Sequence, residues 1–332
     1  MMTGERNNPR GRRAQVLGLL VLAPVCAEYL AAYHTSTGDP QELLLGLLIF
    51  APLYGAPALI IREVARRAGL GWIGMILMAS AFGLMQAGVV DQSLFSTGYL
   101  DIDSWAESRQ PTLIAPLGIS AHMAQLFLAG HVIYSICAPI ALIEALGPDH
   151  RRTPWLGKLG LAVTAVLYVA VSVLVLVDHL TTESSHASAT QVVASLVLAC
   201  GLIVAAFVVG RRARARVDRP APRPLTAFIA SFVAATTVTA SPETWPGVAL
   251  AVGALTIGAM LLGRAARAIT WDARHAAAVA AGAVLSRGLL AFTYFPVTGD
   301  VDPGPKYAHN IVFLVSLTVL SVFASRRAAH SG

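Results

Sequence analysis

The chain has 332 residues, 56% of them apolar and 13% charged, with a formal net charge of +6. A soluble domain carries roughly a quarter charged residues, so this composition excludes a water-soluble globule, a disordered chain, a disulfide scaffold and a nucleic-acid-binding domain. The apolar residues fall in runs of about 20, the length that crosses a roughly 30 Å hydrocarbon layer, and the expected fold is all-α, a polytopic bundle of transmembrane helices.

Ten such runs occur, near residues 14–34, 43–62, 70–90, 119–145, 157–178, 189–210, 224–241, 246–263, 275–295 and 308–325. The first follows Arg6, Arg10, Arg12 and Arg13. It is too long for the core of a cleavable signal peptide and is read as a retained span. Val25 before Cys26 is not the small residue a lipoprotein box needs. Cys26, Cys137 and Cys200 all lie inside apolar runs, where a thiol behaves as a small hydrophobe, and no disulfide framework is indicated. In the second run, Pro52 to Pro57 places two prolines and a glycine near the membrane centre. Lost donors and ring clashes predict a kink or a break there.

The third run carries Phe82 and Gln86 on one face, and Asp91 with Gln92 closes its end. In the fourth, His131 shares a face with Tyr134 and Ser135, while His122 lies nine residues earlier on the opposite side of the helix. Between the sixth and seventh runs the basic loop RRARARVDRPAPR, residues 211–223, fixes orientation and is a candidate contact for anionic lipid headgroups. The ninth run contains Arg287. His34, Asp178, His179, Tyr294, His309 and Asn310 mark span ends and are read as interfacial.

The connections alternate in charge. One set holds 21 of the 24 lysines and arginines, and the opposite set holds only Arg109 and Lys306. Basic residues mark the cytoplasmic side, so both termini are expected in the cytoplasm, in a plasma membrane. The chain then divides into a basic N-terminus (1–13), a six-span part (14–210), the basic loop (211–223), a four-span part (224–325) and a tail (326–332).

An ionisable side chain within a span costs at least about 2.5 to 3.5 kcal/mol on insertion scales and is a functional candidate by default. Glu28 and Arg287 lie roughly 8 and 12 Å below the outer ends of their spans at 1.5 Å per residue, and a direct ion pair between them is one expectation. Glu28, His131 and Arg287 are the candidate catalytic residues, and Tyr54, Gln86, Asp91 and Tyr134 the candidate substrate contacts. Together they suggest a polar cavity open to the outer side. Residues 91–118, the longest outer connection, form a candidate lid over it. No zinc, phosphate-loop, diphosphate or nucleophile-elbow motif is present, so no metal or cofactor is expected. Three function classes fit: an intramembrane enzyme acting on a hydrophobic or lipid-like substrate, a proton-coupled transporter of a small solute, and a non-catalytic assembly or partner-binding protein in the lipid bilayer.

The stretch APLYGAPALIIREVARRAGLGWIGMILMASAFGLMQAGVVDQSLF (residues 51–95), with AGHVIYSICAPIALIEAL (residues 129–146), resembles a group of uncharacterised actinobacterial integral membrane proteins. That resemblance implies a helical membrane scaffold and no particular activity. A weaker likeness is to the CAAX-protease and bacteriocin-processing intramembrane proteases, whose signatures are Glu-Glu-x-x-x-Arg, Phe-x-x-x-His and a later His-x-x-x-Asn. Here Glu63 stands alone four residues before Arg67, Phe82 is followed by Gln86, and His131 by Ser135. The likeness implies at most a shared scaffold, without the protease activity.

Overall fold

Apolar segments in hydrocarbon must satisfy their own peptide groups, and helices do so within one segment. In the computed structural model, which describes residues 9–147, 150–212 and 215–329, each apolar run is helical. Arg6, Arg214 and the last three residues lie outside the described residues. The helices are α1 (Pro9–Ala27), α2 (Pro40–Ala68), α3 (Gly71–Val90), a short α4 (Trp105–Arg109), α5 (Ala121–Leu146), α6 (Lys158–Thr182), α7 (Ala189–Gly210), α8 (Pro224–Thr239), α9 (Trp245–Ala265), α10 (Ala273–Leu290) and α11 (Pro303–Ala329).

Nine helices among the described residues are long and apolar enough to cross a membrane, and α8 is a shorter apolar tenth. This is the all-α bundle of about ten spans expected from the hydrophobic runs. Among the described residues, strand pairing is confined to a hairpin in the connection after α3, where β1 (Leu113–Ile114) pairs antiparallel with β2 (Ile119–Ser120), and an isolated bridge between Val217 and Ala268.

Helix starts follow local chemistry. Asp39 accepts from the backbone of Gln41 and Glu42 ahead of Pro40, and Ser188 and Asp272 close capping boxes at α7 and α10.

Among the described residues, the hydrogen bonds that tie the connections run between segments on the same side of the charge alternation. On the arginine-rich side, Gln15 donates to the Gly147 carbonyl at 2.9 Å, Val217 N–H to Arg267 O at 2.8 Å, and Arg67 to Leu156 O at 2.5 Å. On the arginine-poor side, Val297 N–H donates to Tyr33 O, Leu100 N–H to Glu183 Oε1 at 3.0 Å and Ala187 N–H to Gln92 Oε1 at 2.6 Å.

Helix α10 is the central post, packed against α8, α11 and the second half of α5. Gly282 makes the first of these contacts possible: a Cβ there would lie 2.4 Å from the Phe228 carbonyl oxygen. Helices α6, α7 and α9 form the periphery and expose valines and leucines such as Val166, Leu174, Val197 and Leu261, a surface suited to lipid.

The proline-rich centre of α2 neither breaks nor ends the helix. It widens. Residues 51–55 form a π turn, closed by the Ala56 N–H bonding to Ala51 O five residues back. The wider ring accommodates Pro52 and Pro57, which cannot donate to a regular α ladder, without interrupting the span.

Candidate functional site

Two other helices carry the same irregularity at comparable depth. In α3 the turn covers Gln86–Val90, with Asp91 N–H bonding to Gln86 O at 3.0 Å. In α5 it covers His131–Cys137, with Ala138 N–H bonding to Ile133 O, and Pro139 follows at once. Single π turns are rare and concentrate at functional sites. These three hold Tyr54, Gln86, His131 and Tyr134, four of the seven site residues read from the sequence.

The rings of Tyr54 and His131 stack at 6.1 Å between centroids, and Phe82 meets the His131 ring edge-on at 5.5 Å. Gly83 permits this approach, since a Cβ there would sit 3.3 Å from the His131 Cβ. The His131 Nδ1 faces Ser135 Oγ at 3.4 Å. His122, on the other face of α5, points away and meets Ser241 O at 3.0 Å.

Glu28 sits where α1 ends and a 3-10 turn, Tyr29–Ala31, begins. Its Oε2 accepts from the Tyr33 hydroxyl at 2.5 Å, and its charge also acts on Tyr54, Tyr99 and Asp91. Arg287 does not form the ion pair with Glu28 expected from the sequence: among the described residues no such pair is within bonding distance. Its guanidinium lies 4.6 Å from the Tyr134 ring centroid and donates weakly to Ala27 O at 3.5 Å. The Tyr33 hydroxyl takes the carboxylate that Arg287 was expected to meet, and the Tyr134 face serves the cation instead. Both charges remain in one neighbourhood, since Arg287 acts electrostatically on Tyr33 and His131.

Asp91, just past the end of α3, accepts from Ser93 N–H at 2.9 Å and Gln86 Nε2 at 3.2 Å. Burial pushes its carboxyl above the usual range, against the pull of those hydrogen bonds. In the loop, burial together with the Asp91 and Glu28 carboxylates holds the Tyr99 phenol well above its usual value. Gln86 Oε1 and Arg287 Nε are buried and have no protein hydrogen-bond partner among the described residues.

The connection at residues 91–118 is an ordered cap. Trp105 is buried, stacks on Phe127 at 5.9 Å, meets the Tyr99 ring at a tilt with centroids 4.9 Å apart, and donates to Ser96 O at 3.0 Å. Among the described residues, the non-glycine residues with positive φ are Ala32 (φ 50°), Gln92 (φ 51°), Leu100 (φ 49°) and Asp101 (φ 50°). They follow Glu28, Asp91 and Tyr99 closely. Left-handed backbone at such residues costs of order 1 to 3 kcal/mol and clusters at functional sites. Tyr33 and Tyr99 are cluster members that hydrophobic periodicity does not single out, because both come from irregular segments.

One cavity is lined by α1, α5 and α11 and another by α9 with Arg267, and neither is lined by the cluster residues. The cluster is packed, with Glu28, Asp91, His131 and Arg287 half-buried and Tyr54, Gln86 and Tyr134 buried.

At the arginine-rich end one buried group of charges is taken up by structure. Arg62 and Glu63 are fully buried and paired at 2.8 Å. Arg62 also donates to Glu144 at 3.0 Å and to Thr153 O, His150 O and Arg151 O, and stacks over Trp155 at 3.5 Å. Arg66 pairs with Glu144, and Glu63 accepts from Trp155 N–H at 2.7 Å and Leu156 N–H at 3.1 Å. Glu63 therefore sits far from Gln86, which lies 15 residues, roughly 22 Å, along α3 from its arginine-rich end. Of the three protease-like motifs, only the segments around Phe82 and His131 meet.

Helical spans, two chemically distinct ends and a polar cluster near one of them define a polytopic integral membrane protein. The chain belongs to an uncharacterized membrane protein family, whose model matches residues 17–326, from α1 to α11. Comparison with curated proteins and with solved structures finds no match.

Proposed function

We propose that this protein is a multi-pass plasma-membrane protein with both termini in the cytoplasm, and that its outer-half cluster is the site of an intramembrane enzyme acting on a hydrophobic or lipid-like substrate. His131 and Glu28 act as proton acceptor and donor, and Arg287 stabilises negative charge. Tyr54, Gln86, Asp91 and Tyr134 position the substrate. The observation that carries this reading is the convergence of three π turns on one group of ionisable side chains, where Gln86 Oε1 and Arg287 Nε lack protein partners among the described residues. A buried acceptor and a buried cationic donor without partners are costly unless a ligand or solvent meets them.

The reading favours one-sided chemistry over transport because the arginine-rich end is closed by the Arg62–Glu63–Glu144 network, with both Arg62 and Glu63 fully buried. The basic loop holds α9 and α10 in place, with Arg216 donating to Ile269 O and Arg219 to Arg264 O. This leaves Arg211, Arg212 and Arg223 of that loop for anionic headgroups.

The test is comparative lipid mass spectrometry of membranes with wild-type protein, Glu28→Gln, His131→Ala and Arg287→Gln, each checked for folding by size-exclusion profile. A lipid product present with wild type and lost at least tenfold in the folded variants supports the reading. Identical lipid profiles would remove it. Labelling of single cysteines near Tyr54 and Tyr134 from both sides of the membrane would instead favour a carrier.

A further inference from the structure

A second site lies at the opposite end of the bundle, independent of the polar cluster. Between α1, the last turns of α5 and α11 there is a cavity of about 540 Å³, within the range of small-molecule sites. Its α1 lining runs from Gly11 to Val25, a rise of about 21 Å at 1.5 Å per residue. One leaflet of hydrocarbon is about 15 Å deep, half of the roughly 30 Å layer. The lining therefore starts at headgroup level and crosses a whole leaflet. Along that depth the walls are apolar, formed by Val21, Val25, Ile143 and Leu320, and the mouth carries Gln15, His150 and Arg327.

The mouth has the chemistry of a headgroup site. Arg327 is exposed, rests 5.2 Å from the Phe323 ring centroid and takes part in no ion pair among the described residues. Gln15 is 7% exposed; its Nε2 is held by Gly147 O at 2.9 Å, while Oε1 has no protein partner among the described residues. A cation beside an unmatched acceptor fits a phosphate bearing a hydroxylated substituent. A choline headgroup fits poorly, since it has no donor for Gln15 and carries a positive charge of its own.

We propose that this cavity binds an anionic, hydroxyl-bearing phospholipid of the phosphatidylglycerol kind from the leaflet on the arginine-rich side. One acyl chain lies along Val21, Val25, Ile143 and Leu320, the phosphate meets Arg327, and a headgroup hydroxyl donates to Gln15 Oε1. Basic pockets between spans on the cytoplasmic side recognise lipid headgroups in this manner.

The experiment is native mass spectrometry of the full-length, delipidated protein titrated with phosphatidylglycerol or phosphatidylcholine. Wild type is expected to take one phosphatidylglycerol at least tenfold more tightly than phosphatidylcholine. Arg327→Gln weakens it about fivefold, the effect of one headgroup-facing charge, and Ala14→Phe, at an exposed position in the cavity mouth, removes the tight site. Lys158→Gln, at an exposed cation on the same side of the bundle, leaves it unchanged. Equal affinity for the two lipids, wild-type binding in both Arg327→Gln and Ala14→Phe, or an equal loss in Lys158→Gln would overturn the assignment. If Ala14→Phe does not fold, Gln15→Leu takes its place, with the same expected loss of preference between the lipids.

Discussion

Replacing Glu63 by glutamine tests how the arginine-rich end is held. Its Oε1 accepts from Arg62 and from Trp155 N–H, and its Oε2 accepts from Leu156 N–H and faces Arg67 at 3.5 Å. Whichever way a glutamine amide is turned, its NH2 meets donors, so Glu63→Gln loses a charge and also creates a clash of donors. Two unit charges about 4 Å apart attract by roughly 4 kcal/mol at an effective dielectric of 20, and stripping one partner from a buried pair destabilises by about 3 to 5 kcal/mol. Arg62 keeps Glu144, but Arg66 shares that carboxylate, so Glu144 cannot replace Glu63. At about 2 °C per kcal/mol for a chain of this size, the melting midpoint falls by about 6 to 10 °C.

The assay is thermal unfolding in detergent micelles followed by tryptophan fluorescence, to which Trp155, directly under the Arg62 guanidinium, contributes. Arg67→Gln is the control. Its side chain is 34% exposed, and a surface pair contributes at most about 1 kcal/mol, or about 2 °C. A Glu63→Gln midpoint no lower than that of Arg67→Gln would refute the reasoning.

Three further outcomes follow from the same geometry. Because burial raises the Asp91 carboxyl in the folded protein, the folded state holds that proton to higher pH than the unfolded chain, so wild-type stability falls as pH rises from about 4; Asp91→Asn is expected to gain on wild type over that rise, and parallel melting curves would contradict it. Trp105→Ala removes the buried ring that clamps the cap, a change that typically costs about 3 to 5 kcal/mol, and limited proteolysis should then cut between Thr97 and Gly118 where wild type resists. Gly55→Ala places a Cβ 2.7 Å from the Leu20 backbone and should cost about 1 to 3 kcal/mol through overpacking; Gly130→Ala, which meets nothing within 4 Å, should melt with wild type.

The spans were legible because hydrophobic length and charge alternation are properties of the sequence in one dimension. The bringing together of Glu28, Tyr54, Gln86, Asp91, His131, Tyr134 and Arg287 follows from a different rule, that ionisable groups in a bilayer avoid lipid and so meet one another. Which atoms pair was not legible. Tyr33 reaches Glu28 only because the chain leaves α1 through a 3-10 turn and a left-handed Ala32, and no periodic pattern announces that path. The prolines of α2 signalled an irregularity, but whether a proline kinks, breaks or widens a helix depends on what packs beside it. At Gly55 that neighbour is the Leu20 backbone. In α3 the wide turn contains no proline at all, so nothing in the composition of that segment marks it.

A π turn holds one residue more than the α turn it replaces, and one residue is about 100° of helix rotation. In α2 the turn at residues 51–55 lies between two commitments: Phe50 packs on Tyr29, whose hydroxyl donates to Leu43 O, and Arg62 and Glu63 must face Glu144 and the connection after α5. Straightening that turn into regular α-helix with the same residues would swing one set by about 100° against the other, so both ends are seated together because the wide turn absorbs the extra residue. The irregular turn therefore acts as a phase setting. A single residue inserted within 51–55 would unseat one end of the bundle through a change made at the middle of the membrane, whereas deleting one residue there would turn the wide turn into an α turn and leave both ends in register.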